Sequence, residues 1–178
     1  MTPGGTNDRP PAWAVLGTLL GAPLFIAVVI VYVPYALTGW WMGPPLLGWE
    51  PLRWVGVAMI VLALPILVDF LVRFVREGHG TPVPIAPPSR LVVRGVFRYV
   101  RNPSYLAAVA CVIGQGLILA STPVLIYAAV LALTFHLFVV TYEEPTLRRN
   151  FGEAYEAYCR DVPRWVPRVP RRATSRAI

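Results

Sequence analysis

From Ser104 to Tyr142 the chain carries no Asp, Glu, Lys or Arg, and one straight helix cannot use up so long a run. At roughly 1.5 Å per residue such a helix would be about 58 Å long, near twice the ~30 Å hydrocarbon thickness of a bilayer. The run must fold back on itself. Ser121-Thr122-Pro123 marks the place, because a hydroxyl N-cap followed by proline starts a new helix. Spans are expected near 104 to 120 and 123 to 142.

Two more spans precede this hairpin. Residues 13 to 36 are uncharged, giving about 36 Å of helix, enough to cross with some tilt. This stretch exceeds the apolar part of a secretory signal and lacks a small-residue cleavage site, so it is expected to stay in the mature protein. A second span lies near 53 to 75, with Asp69 and Arg73 one turn apart and expected to pair. With 56% hydrophobic and 14% charged residues, the composition excludes an ordinary soluble domain. The expected fold class is an all-α integral membrane protein with four transmembrane helices and a C-terminal amphipathic cytoplasmic helix.

Charge orients the spans. The segment 73 to 101 holds six arginines against Glu77, and the tail from 142 to 178 holds eight arginines against five acids. The segment 38 to 54 has only Glu50 and Arg53, and the Ser121 turn has no charge. Both basic segments are therefore expected on the cytoplasmic side of a cell membrane, with both termini and the polar motifs on that side and Trp40, Trp41, Trp49 and Trp54 in an aromatic belt opposite. The net charge of +7 fits membrane orientation and contact with lipid head groups; no nucleic-acid motif accompanies it. Cys111 and Cys159 fit neither a disulfide framework nor a metal-binding spacing.

The expected organisation is a flexible leader at 1–11, two transmembrane helices within 12–77, a core at 78–168 and a basic tail at 169–178. Pro82, Pro84, Pro87 and Pro88 make 78 to 88 a stiff extended connector. Pro145 is expected to bend the fourth span. Beyond it, Leu147, Phe151, Tyr155 and Tyr158 or Cys159 share a helix face, with Glu144–Arg148 and Glu156–Arg160 as i,i+4 pairs. That amphipathic helix either lies along the membrane or covers a pocket.

The polar residues gather at the cytoplasmic ends. Arg94, Arg98 and Arg101 recur at spacings of four and three, and Asn102-Pro103 begins the third span with Tyr105 just inside. A proline-led helix start beside an arginine holds carboxylate or phosphate through dipole and charge. Gly114 and Gly116 flank Gln115; either Ala107, Cys111 and Gly114 form a close-packing strip, or the two glycines admit a cofactor against the backbone beside the Gln115 amide. Glu143 and Glu144 follow the apolar span, where paired carboxylates need water, arginine partners or a cationic ligand. His136, two turns earlier, is either a packed, hydrogen-bonded group or a polar cavity lining.

Taken together, G-V-F-R-Y-V-R-N-P-S-Y at 95–105, Glu143-Glu144, F-G-E-A-Y-E-A-Y at 151–158 and V-P-R-W-V-P at 162–167 resemble the isoprenylcysteine carboxyl methyltransferase-like family. That family lies within the integral membrane methyltransferases that include phospholipid methyltransferases, and the likeness covers roughly residues 78 to 168. It implies S-adenosylmethionine as cofactor, bound at the cytoplasmic end of the last two spans and capped by the C-terminal segment. It also implies a lipophilic or small-molecule methyl acceptor at the cytoplasmic membrane face, bearing a carboxylate, thiol or amine. Tyr99, Arg101, Asn102, Tyr105, Gly114, Gln115, Gly116, Glu143, Glu144, Tyr155 and Tyr158 would form the cofactor site. Asn102 departs from the histidine of the family's R-H-P-x-Y turn, which removes a titratable group there.

Arg101 suits the donor's carboxylate, Glu143 or Glu144 its ammonium and ribose hydroxyls, and Tyr155, Tyr158 or Trp165 its adenine. Methyl transfer from a sulfonium is an in-line displacement aided by alignment and exclusion of water, and it requires no metal. An amine acceptor would need a base, for which Glu144 and His136 are the catalytic candidates. Two alternatives are an NADPH-dependent membrane reductase, since steroid 5-alpha reductases look similar in their arginine-proline-tyrosine turn, and a noncatalytic membrane scaffold.

Overall fold

The computed structural model describes residue 21 and residues 23–77 and 95–169, without the side chains of 71 and 73–77. The expected leader, the 78–88 connector, Arg90, Arg94 and nearly all of the basic tail lie outside the described residues. So do most of the first half of the first span and the side chain of Arg73.

Among the described residues the chain is all helical, in four runs. Helix α1 covers Pro23–Thr38, α2 Pro51–Glu77 and α3 Pro103–Ile118. The fourth run passes from α4, Thr122–Phe138, through a π-helical turn, Val139–Glu143, into α5, Glu144–Asp161. The α2 helix and the fourth run are long and apolar enough to cross a membrane, while α1 and α3 are shorter apolar helices. The hairpin turn forms where the sequence places it. Ser121 Oγ accepts from the Val124 amide at 3.4 Å, Pro123 sits in the first turn, and the chain reverses through Ala120 at φ 54°.

The α2 helix packs chiefly on α3, and α3 also packs on α4. Glycine permits the first contact: a Cβ on Gly56 would stand 2.5 Å from the Gly114 carbonyl oxygen, and one on Gly114 2.6 Å from that of Gly56. Ala107, Cys111 and Gly114 are all buried on α3, so the small-residue strip is a helix-packing surface. Val112 and Val124 are fully enclosed in the core between these helices.

Helix α1 is tied on by polar groups. Residues Ala27–Tyr32 are π-helical, and Gln115 Nε2 donates to Ile30 O at 2.9 Å while Tyr127 Oη donates to Val29 O at 3.0 Å. At one end of the bundle the Gly43 amide bonds Leu119 O, and Trp40, Trp41, Trp49 and Trp54 are exposed around it. The opposite end holds the polar motifs.

Helix α5 departs from the sequence expectation in two respects. The bend expected at Pro145 takes the form of a widened turn, in which Glu144 N–H reaches Val139 O five residues back, just before the proline that has no N–H to give. The sharper break is at Gly152, with φ 50° and ψ −125°, a conformation open mainly to glycine. Arg148 Nε therefore meets Glu156 at 2.8 Å, although eight residues of continuous helix would separate them by about 12 Å of rise. Glu156 is thus drawn to Arg148 rather than to the expected Arg160.

Candidate active site at the arginine turn

The site is built on a short 3-10 turn, Gly95–Arg98, followed by the start of α3 at Pro103. The proline fixes the first helical turn, and Arg101 and Asn102 precede it in non-helical geometry that turns Arg101 toward α5. Asn102 is buried, and its Nδ2 donates to Arg164 O at 3.2 Å. The amide at this position joins the turn to the C-terminal segment.

Glu144 is the centre of charge. It is 2% exposed, the most enclosed acid among the described residues, and it meets three arginines. Arg164 clasps it through Nε at 2.6 Å and Nη2 at 3.0 Å, Arg101 approaches at 3.2 Å, and Arg148 reaches it from the next turn at 3.3 Å. Burial by itself would raise the carboxyl's pKa, but the Arg164 hydrogen bonds and the charges of Arg101, Arg164 and Arg148 hold it below the ordinary value. Both oxygens carry arginine partners, which makes Glu144 a counter-ion that organises cations; the arrangement offers no open lone pair for a base.

Glu143 faces a different neighbour. Its Oε2 accepts from Tyr105 Oη at 3.0 Å, which ties the start of α3 to the end of the fourth span. Burial raises the Glu143 pKa, the Tyr105 bond opposes that rise and the charge of Glu144 adds to it, for a net upward shift. Adjacent helical residues point about 100° apart. One acid thus serves the tyrosine and the other the arginines. Tyr105 is also packed on Phe135, with ring centroids 4.7 Å apart.

The C-terminal segment crosses this cluster as an extended strap. Arg101 N donates to Pro163 O at 2.9 Å and Arg168 N to Tyr99 O at 3.0 Å. Tyr99 itself is exposed. Tyr158 Oη donates to Phe97 O at 2.8 Å, and burial pushes its pKa up to about 12, so it remains a donor. Trp165 Nε1 donates to His136 Nδ1 at 3.1 Å.

Of the residues singled out from the sequence, Tyr99, Arg101, Asn102, Tyr105, Glu143, Glu144 and Tyr158 meet at this end of the bundle. Tyr155 and Tyr158 are buried against each other and Val162, with Leu147 and Phe151 beside them, so their rings serve a small core. Gly114, Gln115 and Gly116 are not brought to the cluster. Gly114 begins about 16 Å along α3 from Pro103, at the rise of an α-helix, and its neighbour Gly116 is closed by Leu125. Gln115 Nε2 is engaged by Ile30 O of α1, while its buried Oε1 has no hydrogen-bond partner.

Sequence reasoning anticipated the Glu144–Arg148 pair, which forms at 3.3 Å, but missed Arg164 and Cys159 as members of the cluster. Cys159 Sγ accepts from Arg101 Nη1 at 2.6 Å. The one available signal was the placement of Arg164 inside the proline-flanked V-P-R-W-V-P motif, since proline holds such a segment extended and able to lie across a surface.

Arg101 is the group best suited to a ligand. Its side chain is 11% exposed and its Nε is buried with no hydrogen-bond partner. A buried guanidinium donor left open costs free energy unless an acceptor arrives. The acceptor it calls for is an anionic oxygen such as a carboxylate.

The profile of a family described as phospholipid methyltransferase matches residues 51–154. The chain is 35% identical over 81 residues to a protein-S-isoprenylcysteine O-methyltransferase of Schizosaccharomyces pombe, covering 45% of this chain and 34% of that one. It is 31% identical over 99 residues to protein-S-isoprenylcysteine O-methyltransferase B of Arabidopsis thaliana, covering 56% of this chain and 46% of the relative. The chain thus spans less than half the length of these curated relatives. No solved structure matches it.

Proposed function

Because this chain belongs to the phospholipid methyltransferase family, we propose that it binds S-adenosylmethionine at the arginine turn and methylates a lipophilic acceptor at the cytoplasmic membrane face. The observation that carries this reading is the buried, unpartnered Nε of Arg101 beside the Glu144 cluster. Four membrane spans with both termini inside accompany it, on the strength of the arginine-rich segments of the sequence and of the tryptophans exposed at the end opposite Arg101.

The residues present fit the cofactor. Arg101 would hold its carboxylate, and the Tyr105–Glu143 pair would take its ammonium, with Glu143 Oε2 oriented by the tyrosine hydroxyl. When bound, the cofactor supplies an electrophilic methyl group on a sulfonium. Glu144 keeps Arg101, Arg148 and Arg164 gathered in one place, so the charge that receives the cofactor is ordered before binding. A strap over the turn would shield a bound cofactor from water, and such shielding would strengthen each of these charged contacts. An acceptor that arrives ionised, as a carboxylate or thiolate, needs no base; with both Glu144 oxygens paired, the site favours that kind of acceptor over an amine. The family match favours methyl transfer over the NADPH-dependent reductase alternative.

The test is equilibrium binding of radiolabelled S-adenosylmethionine to the purified chain in lipid nanodiscs, followed by transfer of the label to a lipid extract. Saturable binding that Arg101→Met and Glu143→Gln weaken is the expected result. Saturable NADPH binding with no binding of S-adenosylmethionine would refute the proposal.

A further inference from the structure

The two consecutive strap residues Arg164 and Trp165 diverge. Arg164 enters the polar cluster and clasps Glu144, while Trp165 packs against the apolar core of the bundle and donates its indole N–H to His136. Indole nitrogen only donates, so His136 Nδ1 must be the unprotonated acceptor, with the ring's proton on Nε2. That nitrogen is engaged with the strap, which is a different use from the base considered for His136 on sequence grounds.

We propose that His136 and Trp165 are a positioning pair that fixes the C-terminal strap over the arginine turn and thereby sets Arg101 for the methyl donor; this rests on the function proposed above. The path of the effect is short. The residue before Arg164 bonds the Arg101 amide through Pro163 O, Arg164 O receives Asn102 Nδ2, and Arg168 N bonds Tyr99 O. Arg164 and Arg101 share the same Glu144 oxygen, Oε1. A strap displaced at Trp165 therefore moves both the backbone at Arg101 and the arginine that shares its counter-ion. The rings of His136 and Trp165 lie 6.1 Å apart between centroids, tilted by 42°, so packing alone would not fix the strap's register as a hydrogen bond does.

Trp165→Phe keeps an aromatic ring and removes the N–H; His136→Phe removes the acceptor. In the full chain in nanodiscs, each single variant is expected to raise the KM and Kd for S-adenosylmethionine about five- to tenfold, the net effect of one hydrogen bond, with kcat at saturation changed less than about twofold. The double variant is expected to be no worse than the weaker single, since both changes delete one interaction. Amide hydrogen exchange at Arg101 and Arg168 should quicken in Trp165→Phe even without cofactor. Unchanged exchange there, or additive losses in the double variant, would overturn the proposal. If the wild-type chain binds no S-adenosylmethionine, the functional reading fails, and the exchange measurement still decides whether the pair fixes the strap. Should His136→Phe fail to fold, Trp165→Phe alone carries the exchange test.

Discussion

Replacing Glu144 by glutamine removes the negative charge around which three arginines gather and leaves its shape nearly unchanged. The loss falls unequally on the partners. Arg101 is 11% exposed, whereas Arg164 and Arg148 are 31% and 44% exposed and can rehydrate. Breaking a buried ion pair costs about 3–5 kcal/mol, and the two partly exposed arginines bring the expectation to the lower end, about 3 kcal/mol. At about 2–4 °C per kcal/mol for a chain of this size, the melting temperature should fall by about 6–12 °C. Glu156→Gln is the matched control, because it breaks a pair at 2.8 Å whose members are 44% and 48% exposed, with an expected cost of at most ~1 kcal/mol. Both variants can be followed by tryptophan fluorescence on heating in one detergent. The double variant Arg101→Met with Glu144→Gln should recover part of the loss, since an apolar replacement of a buried partner avoids stranding its charge. Equal shifts for Glu144→Gln and Glu156→Gln, or a double variant as damaged as the sum of its singles, would refute the view of Glu144 as a buried counter-ion.

Three further outcomes are expected. Gly56→Ala sets a Cβ 2.5 Å from the Gly114 carbonyl oxygen, so α2 and α3 must part, and thermal stability should drop by about 1–3 kcal/mol. Glu144 has a depressed folded pKa, so its contribution to stability is complete above the ordinary 4.5 and is lost as pH falls through the depressed value; the melting-temperature gap between wild type and Glu144→Gln should hold at pH 5 and close only below about 4.5. Glu143 is shifted the other way by burial, and a cationic donor favours its ionised form, so affinity for S-adenosylmethionine should fall with acidification starting above pH 4.5 and be flat over the same range in Glu143→Gln.

The helices were legible because their signals are local. Serine and proline at 121–123 mark a cap, and the small residues at 107, 111 and 114 recur on one helix face. The cluster was legible only in part. Arg101, Tyr105, Glu143 and Glu144 stood out because charge and hydroxyl groups abut apolar runs, where the cost of burial demands partners. Their partners did not stand out: Arg101 pairs with Glu144 and Cys159, Tyr105 with Glu143, and Glu144 with Arg164, contacts that join residues 20 to 58 positions apart. No period in the sequence carries such pairings. The tail also obscured them, because Arg149, Arg160, Arg164 and Arg168 are alike in composition; i,i+4 spacing marked Arg148, but only the proline-held strap turns Arg164 inward. Gly114 and Gln115 show the converse. A glycine pair around an amide reads equally well as a ligand surface or a helix contact, and the choice was made by where α1 and α2 lie, a fact of tertiary packing that the local pattern does not contain. On the function proposed above, the strap selects which arginines serve the donor, so substitutions at Gly152 or Pro163 should weaken S-adenosylmethionine binding without touching any charged group of the cluster.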